Sequence, residues 1–180
     1  KLHEIDRRRI REVRARKDHF TVSLVGYTNA GKSTLMNALT DAGAKAEDLL
    51  FMTLDTLTRR WDLGNGRHVL LSDTVGFIRD LPHHLVASFH ATLAETIHAD
   101  LLLHVVDAAS PQALEQIEAV NGVLRDLGAD EKPTLILLNK IDAVRDHALL
   151  TILKQNQPEA LPVSAKTMVG LERLRDAVDT

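Results

Sequence analysis

Apolar residues recur along this chain in short runs that alternate with segments of helical period. The runs at 20–25, 68–72, 101–107, 134–139 and 161–163 are rich in branched aliphatic residues, and each predicts a strand. Helices are predicted at 34–39, Leu85–His98, Pro111–Leu127, Ala143–Gln155 and Val169–Val178. Strands that alternate with helices in this way favour a parallel sheet covered by helices on both faces.

One tight turn modifies this picture. Asn65-Gly66 lies between Trp61-Asp62-Leu63 and the strand that follows Arg67, and this dipeptide is typical of a hairpin turn with positive φ. It predicts one antiparallel pair beside otherwise parallel strands. The predicted fold class is therefore α/β: a doubly wound, mostly parallel sheet of about six strands with one antiparallel edge pair.

A glycine-rich loop joins the first strand to the first helix. Residues 26–33, hereafter the phosphate loop, read GYTNAGKS and match the pattern G-x-x-x-x-G-K-[ST] of nucleotide-binding P-loops. The glycines let backbone N–H groups turn toward phosphate oxygens, and the helix N-terminus adds its partial positive charge. We expect Lys32 to reach the β and γ phosphates and Ser33 to hold Mg²⁺. The candidate nucleotide contacts here are Gly26, Asn29, Ala30, Gly31, Lys32, Ser33 and Thr34.

A second motif, Asp73-Thr74-Val75-Gly76, directly follows the strand at 68–72. Asp73 therefore ends a strand at the same sheet edge as the phosphate loop, where it can hold Mg²⁺ through water. The N–H of Gly76 can sense the γ-phosphate. The alternative is a plain strand-ending turn, because D-x-x-G is a common pattern.

A third motif, Asn139-Lys140-Ile141-Asp142, indicates which base is bound. The Asp142 carboxylate can accept hydrogen bonds from N1–H and the exocyclic amine of guanine, whereas adenine would leave it unpaired. We expect Asn139 to tie this loop to the phosphate loop and the stem of Lys140 to pack over the purine. Ser164-Ala165-Lys166, after the last strand, is the candidate loop for guanine O6. The predicted nucleotide is GTP.

The long irregular stretch from Asp41 to Thr58 carries three threonines, Thr53, Thr56 and Thr58. In this architecture the stretch corresponds to a first switch that is ordered by the γ-phosphate, and one threonine should close over Mg²⁺. The alternative for all three is β-branched loop and strand filler.

Composition narrows the class of protein. The chain has 180 residues and no cysteine, which predicts one domain with a substantial core and excludes disulfide or thiol chemistry. No apolar run approaches a membrane span, and the N-terminus lacks the core of a signal peptide, so we expect a cytoplasmic protein. Because the first residue is Lys1 and not Met, we expect a piece of a longer chain.

The positive charge is concentrated at the start of the chain. Residues 1–17 hold eight lysines and arginines against three acidic residues, which is net +5, so that the remainder carries −8 of the total −3. Leu2, Ile5, Ile10 and Val13 fall on one helical stripe, which predicts an amphipathic basic helix. It is either a linker helix packed on a neighbouring element or a surface that faces RNA.

These motifs together resemble the GTPase domain of the HflX family, which belongs to the Obg-HflX group of translation-factor-class GTPases. The resemblance rests on the phosphate loop with its flanks, on the run from Phe51 to Asp55, on D-T-V-G-F-I at 73–78, and on N-K-I-D at 139–142. It covers the chain after residue 18. By this likeness residues 1–18 are the end of a helical hairpin, and 19–180 are the GTPase domain. One departure is Thr56, which stands where the family usually has Pro.

The resemblance implies a ribosome-associated GTPase that hydrolyses GTP to GDP and phosphate with Mg²⁺. It implies binding to the large ribosomal subunit, through ribosomal RNA and protein contacts made mostly by an upstream domain, and a role in ribosome splitting or rescue. A nucleotide-gated binding module and a GTPase of ribosome assembly or tRNA modification share the same motifs. The candidate catalytic residues are Lys32, Thr53 and Gly76, and the candidate metal ligands are Ser33, Thr53 and Asp73, with Thr53 preferred by alignment.

Two further residues suggest how hydrolysis is controlled. Phe77 follows D-x-x-G, where many GTPases place the Gln that orients the attacking water, and a phenyl ring cannot make that hydrogen bond. We therefore expect slow intrinsic hydrolysis that needs help from a partner. Asn29 holds the position at which cation-dependent relatives bind K⁺, and we hypothesise that K⁺ acts there in place of an arginine finger. We expect a monomer.

Overall fold

The computed structural model describes residues 19–40, 57–74, 76 and 96–179. Several sequence predictions lie outside these residues: the basic helix, Thr53 and Thr56 of the first switch, Phe77, and most of the helix expected at Leu85–His98. Of that helix, residues 96–98 are described and are helical.

The described elements follow the predicted alternation. The strands are β1 (Thr21–Gly26), β2 (Leu57–Gly64), β3 (Arg67–Asp73), β4 (Leu101–Asp107), β5 (Thr134–Asn139) and β6 (Leu161–Pro162). The α-helices are α1 (Lys32–Thr40), α2 (Ala113–Asp126), α3 (His147–Asn156) and α4 (Leu171–Asp179), and a 3₁₀ turn occupies Ile141–Ala143. None of the helices in the described part of the chain is long and apolar enough to cross a membrane.

The six strands form one sheet in the order β2-β3-β1-β4-β5-β6. Only the edge pair β2–β3 is antiparallel, and the pairs β1–β3, β1–β4, β4–β5 and β5–β6 are parallel. Asn65 and Gly66 have φ of 53° and 78°, as a hairpin turn with two positive φ angles requires. The predicted fold class and its antiparallel edge pair are confirmed.

Helices cover both faces of the sheet, because the central strands are apolar on both sides. Leu24 of β1 belongs to a core cluster with residues of α1 and α4, whereas its neighbour Val25 packs with residues of α2. Farther along, Val106 and Leu138 meet α2 and α3. This alternation of successive residues between two cores is typical of a buried parallel sheet.

The strand order brings the functional loops to one edge. The chain moves from β1 to one side of the sheet to form β3, and then crosses to the other side of β1 to form β4. In open α/β sheets the ligand crevice lies at the carboxyl ends of the strands where the winding reverses. The phosphate loop, Asp73 and the residues that follow β4 and β5 all lie at this edge.

Two predictions need correction in detail. The helix predicted at Ala143–Gln155 begins at His147, because Asp146 is extended and its side chain accepts a hydrogen bond from the N–H of Ala148 as an N-cap. Thr58 lies in β2 and its hydroxyl is 2.9 Å from that of Ser72, so it is a strand residue. Trp61 is fully buried.

Gly122 offers a test of this packing. It lies inside α2, and a Cβ built on it meets no atom of the described residues within 4 Å. Gly122→Ala should therefore raise the free energy of unfolding by about 0.5–1 kcal/mol, because alanine loses less backbone entropy in a helix. Urea unfolding of the two proteins measures this.

Gly170→Ala is the matched contrast, since Gly170 has φ of 80° and its Cβ would lie 2.4 Å from the carbonyl oxygen of Pro162. This variant should lose stability. Equal effects of the two substitutions would contradict the described backbone.

Candidate nucleotide-binding site

The phosphate loop has a backbone that its glycines alone permit. A Cβ on Gly26 would lie 2.3 Å from the carbonyl oxygen of Val105, so β4 approaches too closely for a side chain. Gly31 has φ of 96°, and its Cβ would lie 2.5 Å from the Asn139 side-chain nitrogen. Asn29 is also left-handed, with φ of 61°. The loop is therefore tightly bent, with β4 and the Asn139 side chain packed against its glycines.

Lys32 begins α1, and its side chain folds back onto the phosphate loop. Its ammonium group donates hydrogen bonds to the carbonyl oxygens of Gly26 at 3.2 Å and of Tyr27 at 3.1 Å. Burial lowers the pKa of Lys32 to about 8, and the nearby charge of Asp73 opposes this change in part. An anion in the loop would favour the charged lysine, because it would add negative charge next to the buried ammonium.

Ser33 and Asp73, which are 40 positions apart in the sequence, meet at the carboxyl edge of the sheet. The Ser33 hydroxyl donates to Oδ2 of Asp73 at 2.7 Å, while Oδ1 of Asp73 is buried and has no hydrogen-bond partner among the residues that the structure describes. Burial raises the pKa of Asp73, against the opposing effects of the Ser33 hydrogen bond and the Lys32 charge. Two hard oxygen ligands beside an unpartnered carboxylate oxygen fit a divalent cation such as Mg²⁺.

Thr74 and Gly76, which follow β3, lie against the first strand and the phosphate loop. Thr74 donates its hydroxyl hydrogen to the carbonyl oxygen of Leu24 at 2.6 Å, which holds the exit of β3 beside β1. A Cβ on Gly76 would lie 3.0 Å from both the Lys32 ammonium nitrogen and Cα of Thr28. A side chain at Gly76 would therefore crowd the Lys32 ammonium and the backbone of Thr28.

Asn139 joins the other loops to the phosphate loop. Its side-chain amide is buried, donates to the carbonyl oxygen of Ala30 at 2.9 Å, and accepts from the N–H of Ala165 at 3.0 Å. A single side chain at the end of β5 thus links the loop after β1 with the loop after β6. The two candidate halves of a nucleotide site, one for phosphates and one for the base, are held at a fixed spacing.

The base-binding candidates surround this amide. Ser164 donates its hydroxyl hydrogen to Oδ1 of Asp142 at 2.6 Å and accepts from the N–H of Thr167 at 3.0 Å. Ser164 and Ala165 are buried, whereas Asp142 and Lys166 are exposed at the mouth of the site. The carboxylate of Asp142 is therefore oriented by a buried hydroxyl while it remains accessible to a ligand.

Lys140 makes a contact that the sequence did not indicate. Its backbone is left-handed, with φ of 63°, and its ammonium donates to the carbonyl oxygen of Asn29 at 2.6 Å and to Oδ2 of Asp107 at 2.8 Å. Asp107 is the last residue of β4, and the strand order places it beside Asn139. In the sequence, the only indication of this contact was an aspartate at the end of an apolar strand.

The structure thus brings together every described candidate for the phosphates, the cation and the base, and Thr53 is the one candidate outside the described residues. A sheet of this order, with a P-loop before α1 and an acidic residue at the end of β3, defines a P-loop nucleotide-binding protein of the GTPase type. Comparison with known proteins gives the family. A model of the 50S ribosome-binding GTPase family matches residues 21–140, and the chain belongs to that family.

The relatives agree with this assignment. The chain is 50% identical over 176 residues to GTPase HflX of Escherichia coli (strain K12), which covers 97% of this chain and 41% of that protein. It is 49% identical over 181 residues to GTPase HflX of Caldanaerobacter subterraneus subsp. tengcongensis, covering 99% of this chain and 41% of that protein. The predicted resemblance to HflX GTPase domains is confirmed, and the chain spans about two fifths of these relatives.

Solved structures show the same fold. A GTP-binding protein from Sulfolobus solfataricus, in complex with GDP, matches with a TM-score of 0.73 and 30% identity, covering 98% of this chain and 58% of that one. Era from Aquifex aeolicus matches with a TM-score of 0.66 at 24% identity, covering 88% of this chain and 55% of that one. The second likeness concerns the fold alone.

His104 is a buried titratable residue close to the site. It lies in β4 opposite Val25, which leads into the phosphate loop, and within the described part of the chain its Nδ1 has no hydrogen-bond partner. Burial, together with the positive charge of Lys32, lowers the pKa of His104 to about 4. The imidazole is therefore neutral at physiological pH and is a buried residue of the sheet.

This pKa predicts a specific dependence of stability on pH. Between pH 6.5 and about 4 the unfolded chain binds a proton at His104 that the folded chain does not, so stability should fall as the pH falls through this window. In the wild type the free energy of unfolding should fall by on the order of 3 kcal/mol across this window because of His104, and His104→Leu should lack this fall. Urea unfolding of both proteins at several pH values measures the difference, and parallel curves would contradict the prediction.

Proposed function

We propose that this chain is the GTP-binding and GTP-hydrolysing domain of a ribosome-associated HflX-type GTPase. The observation that carries the proposal is the Asn139 amide, which holds the phosphate loop at Ala30 and the base loop at Ala165 in one rigid edge. Residues 19–180 form the GTPase domain in this proposal, and residues 1–18 are the end of a helical hairpin. Family membership and the HflX relatives support the ribosomal partner.

Guanine recognition rests on Asp142. Its carboxylate, oriented by Ser164, accepts from N1–H and the exocyclic amine of guanine. The loop at Ser164-Ala165-Lys166 lies at O6, and the backbone N–H of Lys166 is the proposed donor because that of Ala165 is bonded to Asn139. The Lys140 stem covers the purine. An adenine would leave Asp142 without these donors, which gives the discrimination between GTP and ATP.

Phosphate binding rests on the loop and on Lys32. The ammonium of Lys32 exchanges the carbonyl oxygens of Gly26 and Tyr27 for β and γ phosphate oxygens, and the loop N–H groups hold the remainder. Ser33, Asp73 and Thr53 hold Mg²⁺, and Asn29 holds K⁺. When bound, Mg²⁺ neutralises charge on the β and γ phosphates. The N–H of Gly76, beside Lys32, detects whether the γ-phosphate is present.

Hydrolysis is slow in the isolated domain in this proposal. Phe77 follows Gly76 and offers no hydrogen bond to an attacking water, so the large ribosomal subunit supplies the missing orientation. Hydrolysis then releases the protein after the ribosome has been split or rescued. Phe77 also favours a second candidate, a nucleotide-gated binding module whose GTP-bound state does the work and whose hydrolysis only resets it.

Base specificity is tested by Asp142→Asn. The amide keeps the Ser164 hydrogen bond but cannot accept from both guanine donors, so kcat/KM for GTP should fall by about 100-fold or more. Xanthosine triphosphate, which carries a carbonyl in place of the amine, should become the better substrate. Steady-state turnover with both nucleotides measures this, and an unchanged preference for GTP would contradict the role of Asp142.

The proposed partner is tested by GTP turnover in K⁺ buffer, alone and with purified large ribosomal subunits. We expect slow GTP hydrolysis, acceleration by large subunits, little effect of small subunits, and no turnover of ATP. Na⁺ in place of K⁺ should slow the reaction, and Lys32→Ala serves as the inactive control. Hydrolysis without acceleration would contradict stimulation through this domain, and absence of GTP binding would contradict the whole proposal.

A further inference from the structure

Asp107 uses its two carboxylate oxygens for two different tasks. Oδ1 accepts a hydrogen bond from the N–H of Ala109 at 3.0 Å, which shapes the turn that leaves β4. Oδ2 lies 2.8 Å from the ammonium nitrogen of Lys140, with which it forms an ion pair. The turn needs only the first oxygen, so the ion pair calls for a separate explanation.

Lys140 is held at both ends. Its backbone is in the left-handed region, where it opens the 3₁₀ turn that carries Asp142, and its ammonium is bound by Asp107 and by the carbonyl oxygen of Asn29. A free lysine side chain samples many rotamers, and ordering it on ligand binding costs conformational entropy. The two acceptors at its tip remove most of that freedom before a ligand arrives.

We propose that Asp107 is a positioning residue for guanine-nucleotide binding that acts through Lys140. The inference rests on the proposed function and deepens its base-binding half. Asp107 holds the Lys140 ammonium beyond the base site, so that the aliphatic stem lies extended as an apolar surface for the purine. The carboxylate itself does not touch the nucleotide in this arrangement.

The effect should be modest and confined to binding. The side chains of Lys140 and Asp107 are 36% and 21% exposed, so solvent screens the ion pair in part. Loss of the pair should raise the Kd for GDP and the KM for GTP by about 3- to 10-fold and leave kcat unchanged. If Asp107 only stabilised the fold, its substitution would lower the thermal midpoint but would not raise KM selectively while kcat stays unchanged.

Asp107→Asn is the informative variant. Its amide oxygen can still accept from the N–H of Ala109, so the turn is kept while the charge opposite Lys140 is lost. Asp146→Asn is the matched control, because Asp146 makes the same kind of hydrogen bond, from the N–H of Ala148 at 2.9 Å, and lies outside the site. Asp107→Asn should weaken GDP binding and Asp146→Asn should not.

A double-mutant cycle with Lys140→Met shows whether Asp107 acts through Lys140. Methionine keeps an apolar stem without an ammonium, so Asp107→Asn should have no additional effect on GDP affinity in that background. An equal effect in both backgrounds, a fall in kcat, or an unchanged Kd would each overturn the proposal. The thermal midpoint of each variant without nucleotide shows that the domain is folded.

A phosphate-only ligand separates the base from the phosphate loop. Tripolyphosphate should displace a fluorescent GDP derivative from the wild type and from Asp107→Asn with the same inhibition constant, corrected for the affinity of the probe. If Asp107→Asn raised the inhibition constant of tripolyphosphate by the same factor as the Kd for GDP, Asp107 would be acting through Asn29 on the phosphate loop. That result would overturn the proposal. Failure of the wild-type chain to prefer GDP over ADP would instead overturn the proposed function.

Discussion

The buried amide of Asn139 is the interaction on which the site depends. It offers one donor to Ala30 and one acceptor to Ala165, and both partners are backbone groups of loops that come from distant strands. A neutral amide suits this place, since it satisfies groups of opposite polarity without the cost of a buried charge. The spacing between the loops is therefore set by a side chain that carries no charge itself.

Charge at this edge is concentrated around that neutral link. Lys32 and Asp73 are both buried, and each has a pKa displaced toward its neutral form. Their mutual attraction offsets this displacement only in part. Burial thus opposes the charged form of both side chains, and an anion bound together with a cation would favour both charged forms.

The sequence predicted those parts of the structure that depend on local pattern. The bounds of β4 and β5 agree with the prediction, because both strands are continuous apolar runs between two helical layers. The division of the segment after Ala143 was missed, since the cap at Asp146 competes with an apolar period that continues across it. The sequence motifs indicated that Ser33 and Asp73 belong to the site. Asp107 belongs to no motif, and its contact with Lys140 could be recognised only from the strand order that places the two residues close together.

One contact outside the site affects the order in which parts of the domain can fold during synthesis. Arg67 in the β2–β3 hairpin donates to the carbonyl oxygen of Asp179 at the end of α4, across 112 positions of sequence. Leu171 and Leu174 of α4 belong to the same core cluster as Trp61. The first hairpin therefore lacks part of its core until the last described helix has been synthesised. During translation, the contacts between this hairpin and α4 can form only after residues more than a hundred positions later have been added to the chain.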